Sequence, residues 1–172
     1  MKILITGVGI TGKSTFRKAL KKSFPKAVDI DGDYDYKRFP EKFDEQTMYI
    51  IEDVHGLMTE ERCLPLEDYD RIIYLLPDLI SHVLFWLKRV WRWFQNGSGS
   101  WDKKREDWLG SKKEYDLRNI PLFLSLMICD LRNRSKWMTE DVEVLYPFRD
   151  RVVVIHSSFS KEGIKFSFTH RF

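Results

Sequence analysis

Apolar residues along this chain fall into short continuous runs. Ile3–Thr6, Ala27–Ile30, Met48–Ile51, Ile72–Leu76 and Val152–Ile155 are each mostly apolar and lack strict alternation. Runs of this kind predict strands covered on both faces of a parallel sheet. Between them the spacing turns helical, over Ser14–Ser23, more weakly around Glu60–Arg62, and over Leu79–Phe94, Asn119–Arg134 and Thr139–Tyr146. Strands alternating with helices predict a doubly wound α/β domain with five parallel strands and helices on both faces. On the helix from Leu79, the residues Val83, Leu87, Val90, Trp91 and Phe94 share one side and are the expected core face. Trp86 and Trp93 form a second patch, suited to a partner subunit, a second copy of the chain, an acceptor base or a membrane surface. The final "GIKFSFTHRF" alternates as a strand does.

One stretch, "QNGSGSWDKKREDWLGSKKEYD", interrupts the pattern with three glycines, three serines and many charges. It reads as an excursion between two helices, and Trp101 and Trp108 within it have no obvious core to join. The length of 172 residues suits one domain, and 43% hydrophobic with 15% aromatic residues suits a globular one. The net charge of +3 is mild but uneven, acidic from Asp29 to Glu61 and basic from Lys88 to Arg118. Cys63 and Cys129 have no metal-ligand spacing and read as two reduced thiols of a cytoplasmic protein. "KILIT" is too short for a signal peptide, and Leu79–Leu87 is too short to span a bilayer.

Gly7-Val8-Gly9-Ile10-Thr11-Gly12-Lys13-Ser14 fits G-x-x-x-x-G-K-[ST], preceded by an apolar strand and followed by an amphipathic helix. Glycines let backbone N–H groups turn inward around phosphate oxygens, and the helix start directs its positive end at the same anion. Lys13 is placed to reach the β- and γ-phosphates, and the Ser14 hydroxyl to ligate Mg²⁺. The chain therefore resembles the P-loop NTPases, which implies a three-layer fold and a nucleoside triphosphate held by Gly7, Gly9, Ile10, Thr11, Gly12, Lys13, Ser14 and Thr15.

"VDIDGDYDY" ends the second predicted strand and sets Asp31 and Asp33 at the carboxyl edge of the sheet, where ligands of open parallel sheets gather. This D-G-D resembles that of adenylylsulfate and gluconate kinases, with a related D-x-D in shikimate kinase. The resemblance implies Asp33 on the acceptor side and Asp31 on the metal side. "MYIIEDVHG" looks like a Walker B strand, whose terminal carboxylate, Asp53 or Glu52, would orient Mg²⁺ through water. Asp53 is favoured, and Glu52 fits better if the strand ends at Ile51. His55 has no second histidine at ligand spacing. The excursion, about residues 96–118, resembles the lid of nucleotide kinases, which implies triphosphate contacts from Arg89 and Arg92, with Arg105 and Arg118 as further candidates. Ser157 and Ser158 would follow the last parallel strand, where the family commonly contacts the base.

The resemblance spans Met1 to Ile155. It implies an ATP-dependent, Mg²⁺-using kinase that transfers the γ-phosphate to a hydroxyl or phosphate of a small metabolite, nucleoside or nucleotide. Two other readings remain open. The basic, tryptophan-rich region suits an RNA- or tRNA-directed kinase. A nucleotide-dependent switch that docks a partner is the other, and the absence of an N-K-x-D motif argues against a guanine-specific one. The long excursion and the strand-like tail depart from the gluconate- and shikimate-type pattern.

Overall fold

Ile3 and Ile5 leave one side of the first strand and Leu4 the other, so both faces of that strand demand cover. In a computed structural model, which describes residues 1–31, 40, 42–53, 64–96 and 120–169 (the side chains of 92–96, 120, 122 and 123 excepted), both faces receive it. The elements run β1 (Lys2–Thr6), α1 (Lys13–Ser23), β2 (Val28–Asp31), β3 (Tyr49–Glu52), β4 (Arg71–Pro77), α2 (Leu79–Asn96), α3 (Ile120–Leu145), β5 (Val152–Ser160) and β6 (Gly163–Phe168). The strands form one sheet in the order β2-β3-β1-β4-β5-β6. Ile3, Ile5, Ile50, Ile73, Leu75 and Ile155 pack with Phe16 and Leu20 of α1. On the opposite face Leu4, Ile30, Ile51, Ile72, Tyr74 and Val152 pack with Leu145, the last residue of α3.

The sheet is mixed, with six strands, which corrects the expectation of five parallel strands. β2, β3, β1, β4 and β5 are parallel, and β6 adds an antiparallel edge against β5. The reason is local. β5 runs on to Ser160, and Gly163, at φ 124, lets the chain reverse after Lys161 and Glu162. The alternation of the tail then places Ile164 and Phe166 half-buried and Lys165 and Ser167 outward. Phe166 meets Phe16 edge-on with centroids 4.8 Å apart. Ser157 and Ser158 consequently lie inside β5, paired with Phe166 and Lys165, rather than in a loop beyond it.

Two helical expectations also change. The two segments expected over Asn119–Arg134 and Thr139–Tyr146 are replaced by one helix, Ile120–Leu145, because Ser135–Met138 holds neither glycine nor proline to stop it. Lys136 and Glu140, 3.7 Å apart, bridge the join. α2 buries a different face from the apolar one. Ser81, His82, Phe85 and Trp86 are buried, whereas Leu87 and Trp91 are 45% and 57% exposed. Polar bonds set this rotation. Asp78 caps the helix by accepting from the Ser81 N–H and hydroxyl, and Ser81 Oγ accepts from Phe159 N–H of β5. Trp86 is thus an interior residue and no surface patch; the side chain of Trp93 and the weak helix at Glu60–Arg62 lie outside the described residues. Among the described residues no helix is long and apolar enough to cross a membrane.

The close passage of β1 beside β4 fixes Gly7. Its φ is 139, and a β-carbon there would stand 2.4 Å from the carbonyl oxygen of Leu75. Gly7→Ala is expected to lower unfolding stability by roughly 2–4 kcal/mol, combining left-handed strain with a backbone overlap. Gly163→Ala, with open space around it, is expected to lose only the strain, about 1 kcal/mol. Urea denaturation of both variants measures the difference.

Candidate active site around the glycine-rich loop

β1 stops at Thr6, and the next six residues climb over the carboxyl edge of the sheet before α1 begins. Three of them adopt positive φ: Gly7 at 139, Ile10 at 52 and Gly12 at 87. Gly12 occupies the position before the helix and no side chain caps it. The first helical bond runs from Phe16 N–H to Gly12 carbonyl, so the N–H groups of Lys13, Ser14 and Thr15 have no partner within the helix. Ser14 and Thr15 are exposed, while Gly7 and Thr11 are buried.

Lys13 turns back over the loop. Its Nζ donates to the carbonyls of Gly7 at 2.8 Å and Val8 at 3.2 Å. Burial draws its pKa below the usual lysine value, and the negative charges of Glu52, Asp53, Asp141 and Asp130 oppose that fall. Lys13 is therefore the cation at the centre of an acidic surround.

The acids come from strand ends. Glu52 closes β3, in register with Ile5 of β1 and Asp31 of β2. Ser14 donates its hydroxyl to Glu52 Oε1 at 2.7 Å. Burial raises the Glu52 carboxyl above its ordinary range, and the Ser14 bond, Arg17 and Lys13 hold it back. Asp53 follows, its N–H donating to the Ile5 carbonyl and its charge felt by Lys13.

Arg17, one turn along α1 from Ser14, ties these groups together. Its Nη1 lies 3.1 Å from Asp29 Oδ1, its Nη2 2.9 Å from Asp31 Oδ2 and its Nε 2.8 Å from Glu52 Oε2. The first two contacts are aligned hydrogen bonds, and the third is an ion pair without that alignment. The guanidinium is buried, and its planar fork serves three carboxylates at once. Sequence reasoning missed Arg17. The available signal was a charge at the helical spacing of Leu20 and Phe24, together with three acids that lacked a counter-ion.

α2 and α3 reach the loop from the other side. His82 Nε2 lies 2.8 Å from the Gly9 carbonyl and 3.1 Å from Asp130 Oδ2, and Trp86 donates its indole N–H to the same oxygen. Further along α3, Asp141 accepts from the Tyr74 hydroxyl at 2.8 Å. Burial pushes the Asp141 carboxyl up, and burial beside Asp141 pushes the Tyr74 phenol up as well. Arg134 donates to the Pro77 carbonyl at the end of β4.

The structure thus brings Lys13, Ser14, Asp31 and Glu52 together at the carboxyl ends of β1, β2 and β3. Arg89 lies half-buried on α2. Asp33, His55, Arg105, Arg118 and the side chain of Arg92 lie outside the described residues. Among the described residues no group of three or more His, Cys, Asp or Glu side chains is arranged to hold a metal ion. Compared with protein-family models, and with curated proteins, the chain gives no match.

Two variants test the charge balance. Arg17→Met leaves three carboxylates facing one another and is expected to lose about 3 kcal/mol at neutral pH. Their mutual repulsion raises their pKa values in the folded variant, so that deficit should shrink as pH falls and they protonate. Urea denaturation at pH 7.5 and pH 4.5 reads both effects. Asp141→Asn keeps an acceptor for Tyr74 and removes a buried charge. Because the folded pKa of Asp141 is raised, ionisation costs stability as pH rises through it. The variant should therefore match the parent at acidic pH and gain on it toward pH 8.

Proposed function

We propose that this chain is a P-loop phosphotransferase. It moves the γ-phosphoryl group of ATP to a hydroxyl or phosphate of a small metabolite, nucleoside or nucleotide. One observation carries the reading. The residues of a phosphate-binding motif occupy the loop between a buried strand and a helix, with the helix N–H groups uncapped by side chains and Ser14 bonded to a strand-end carboxylate. That loop lies where the chain steps from β1 to neighbours on both sides, β3 and β4, the place in an open parallel sheet where ligands bind.

The chemistry follows from charge. A triphosphate entering at the α1 N-terminus meets free N–H groups and the dipole of the helix. Lys13 exchanges two carbonyl acceptors for phosphate oxygens and stabilises the charge of the transferred group. The donor set of Ser14 and Glu52 suits Mg²⁺, which takes one or two protein oxygens together with phosphates and water. Bound there, the ion supplies charge neutralisation and alignment of the phosphates. Arg17 keeps Glu52 and Asp31 in place through this exchange. Asp33, two residues beyond Asp31, is assigned to the acceptor hydroxyl on the strength of the D-G-D resemblance. The cytoplasm, with its ATP and reduced thiols, is the compartment we assign.

Calorimetric titration with MgATP should show binding by the parent. Lys13→Ala should lose phosphoryl transfer by roughly a hundred-fold or more, the order for a lost transition-state charge contact. Radiolabelled γ-phosphate should appear in an acceptor when ATP is offered with pooled nucleosides, nucleotides, sugars, sulfated nucleotides or RNA. Label in the small-molecule pools supports the proposal, label in RNA alone moves the function to a nucleic acid kinase, and hydrolysis that no acceptor changes refutes transfer.

A further inference from the structure

α2 and α3, the helices on either side of residues 97–119, are fastened to the phosphate loop at one peptide. His82 is fully buried, and its Nε2 is 2.8 Å from the Gly9 carbonyl oxygen. Asp130 of α3 stands beside the same contact. Asp130 Oδ2 lies 3.1 Å from the same nitrogen and accepts from Trp86 one turn along α2, while Oδ1 would be 3.1 Å from a β-carbon on Gly9. The contact with Gly9 requires hydrogen on Nε2. That leaves Nδ1 buried with no hydrogen-bond partner among the described residues. A leucine would fill the space without stranding a polar atom, so packing alone does not explain an imidazole there.

The peptide that His82 grips joins Gly9 to Ile10. Ile10 is a β-branched residue at φ 52, a conformation that costs on the order of 1–3 kcal/mol and persists only when its surroundings impose it. In a trans peptide the N–H points opposite to the carbonyl. A Gly9 carbonyl held on His82 therefore aims the Ile10 N–H away from α2. Rotation of this peptide would relax Ile10 and lose that aim.

On the reading of residues 7–14 as a phosphate loop, we propose that His82, oriented by Asp130, is a positioning residue for triphosphate binding. It donates to the Gly9 carbonyl, holds Ile10 in its left-handed conformation and so presents the Ile10 N–H to a phosphate oxygen. The role needs only the hydrogen on Nε2, and no proton is transferred.

The test compares His82→Leu, His82→Gln and Asp130→Asn with the parent and with Lys13→Ala. Glutamine returns an N–H donor near the place of Nε2, and leucine does not. Calorimetry with MgATP should give a dissociation constant roughly ten-fold higher for His82→Leu, the order for one lost aligned donor. For His82→Gln it should fall back toward the parent value, and Asp130→Asn should lie between. A structural role would lower thermal stability in His82→Leu and His82→Gln alike without separating their affinities. The nucleotide-free protein gives a second readout, because the amide resonance of Ile10 should move in His82→Leu and return in His82→Gln. Parent-like affinity in folded His82→Leu, with Lys13→Ala defective, overturns this proposal and leaves the phosphate loop standing. No MgATP binding by the parent overturns both. Should His82→Leu fail to fold, Asp130→Asn decides, and unchanged affinity together with an unmoved Ile10 resonance overturns the proposal.

Discussion

Three carboxylates meet at the ends of two neighbouring strands, and Arg17 is the charge that allows it. Asp31 ends β2 with Asp29 two residues before it, Glu52 ends β3, and parallel pairing puts Asp31 directly beside Glu52. Without a counter-charge this edge of the sheet would hold three negative charges, one of them buried, which is unfavourable by several kcal/mol. A guanidinium on the first turns of α1 resolves the conflict, and the resolution dictates more than charge. It fixes how α1 rotates about its axis. Ser14, one turn earlier, is thereby delivered to the second oxygen of Glu52, and Lys13 to the loop carbonyls.

The same edge explains the arrangement behind the loop. Lys13 is the cation common to Glu52, Asp53, Asp130 and Asp141, each from a different approach. The acids on α3 have their own donors, Trp86 for Asp130 and Tyr74 for Asp141, so their burial does not depend on the lysine alone. The site is held from two directions. α1 and the strand ends fix one side, and the α2–α3 pair fixes the other.

Much of this was legible in the sequence, for identifiable reasons. Five strand cores were visible because a strand covered on both faces needs a continuous apolar run, as Ile72–Leu76 shows. The glycine loop was visible because positions such as Gly7 and Gly12 need a backbone that other residues resist. The face of α2 was not legible. An apolar pattern counts Val83, Leu87 and Trp91 as inward, yet the rotation follows hydrogen bonds made by Ser81, His82 and Trp86. Arg17 was hidden in the same way, since its partners are distant in sequence and join it only through strand register. The sixth strand was foreshadowed by the alternation of the tail, but its pairing depends on the turn at Gly163.

The unbroken course of α3 has a mechanical consequence. Its 26 residues, rising 1.5 Å each, make a rod about 39 Å long. Leu145 at its end is buried with no exposure, and Asp130 lies fifteen residues back, about 22 Å away along the axis. Tilting such a rod about its anchored end moves Asp130 by about 0.4 Å for every degree. A hydrogen bond tolerates only a few tenths of an ångström before it weakens. A tilt of one or two degrees, far too small to disturb the packing at Leu145, is enough to loosen the grip on the loop. The helix that would have broken between Arg134 and Thr139 instead runs on as one stiff rod, pivoted in the core at Leu145 and sensitive at Asp130, beside Gly9.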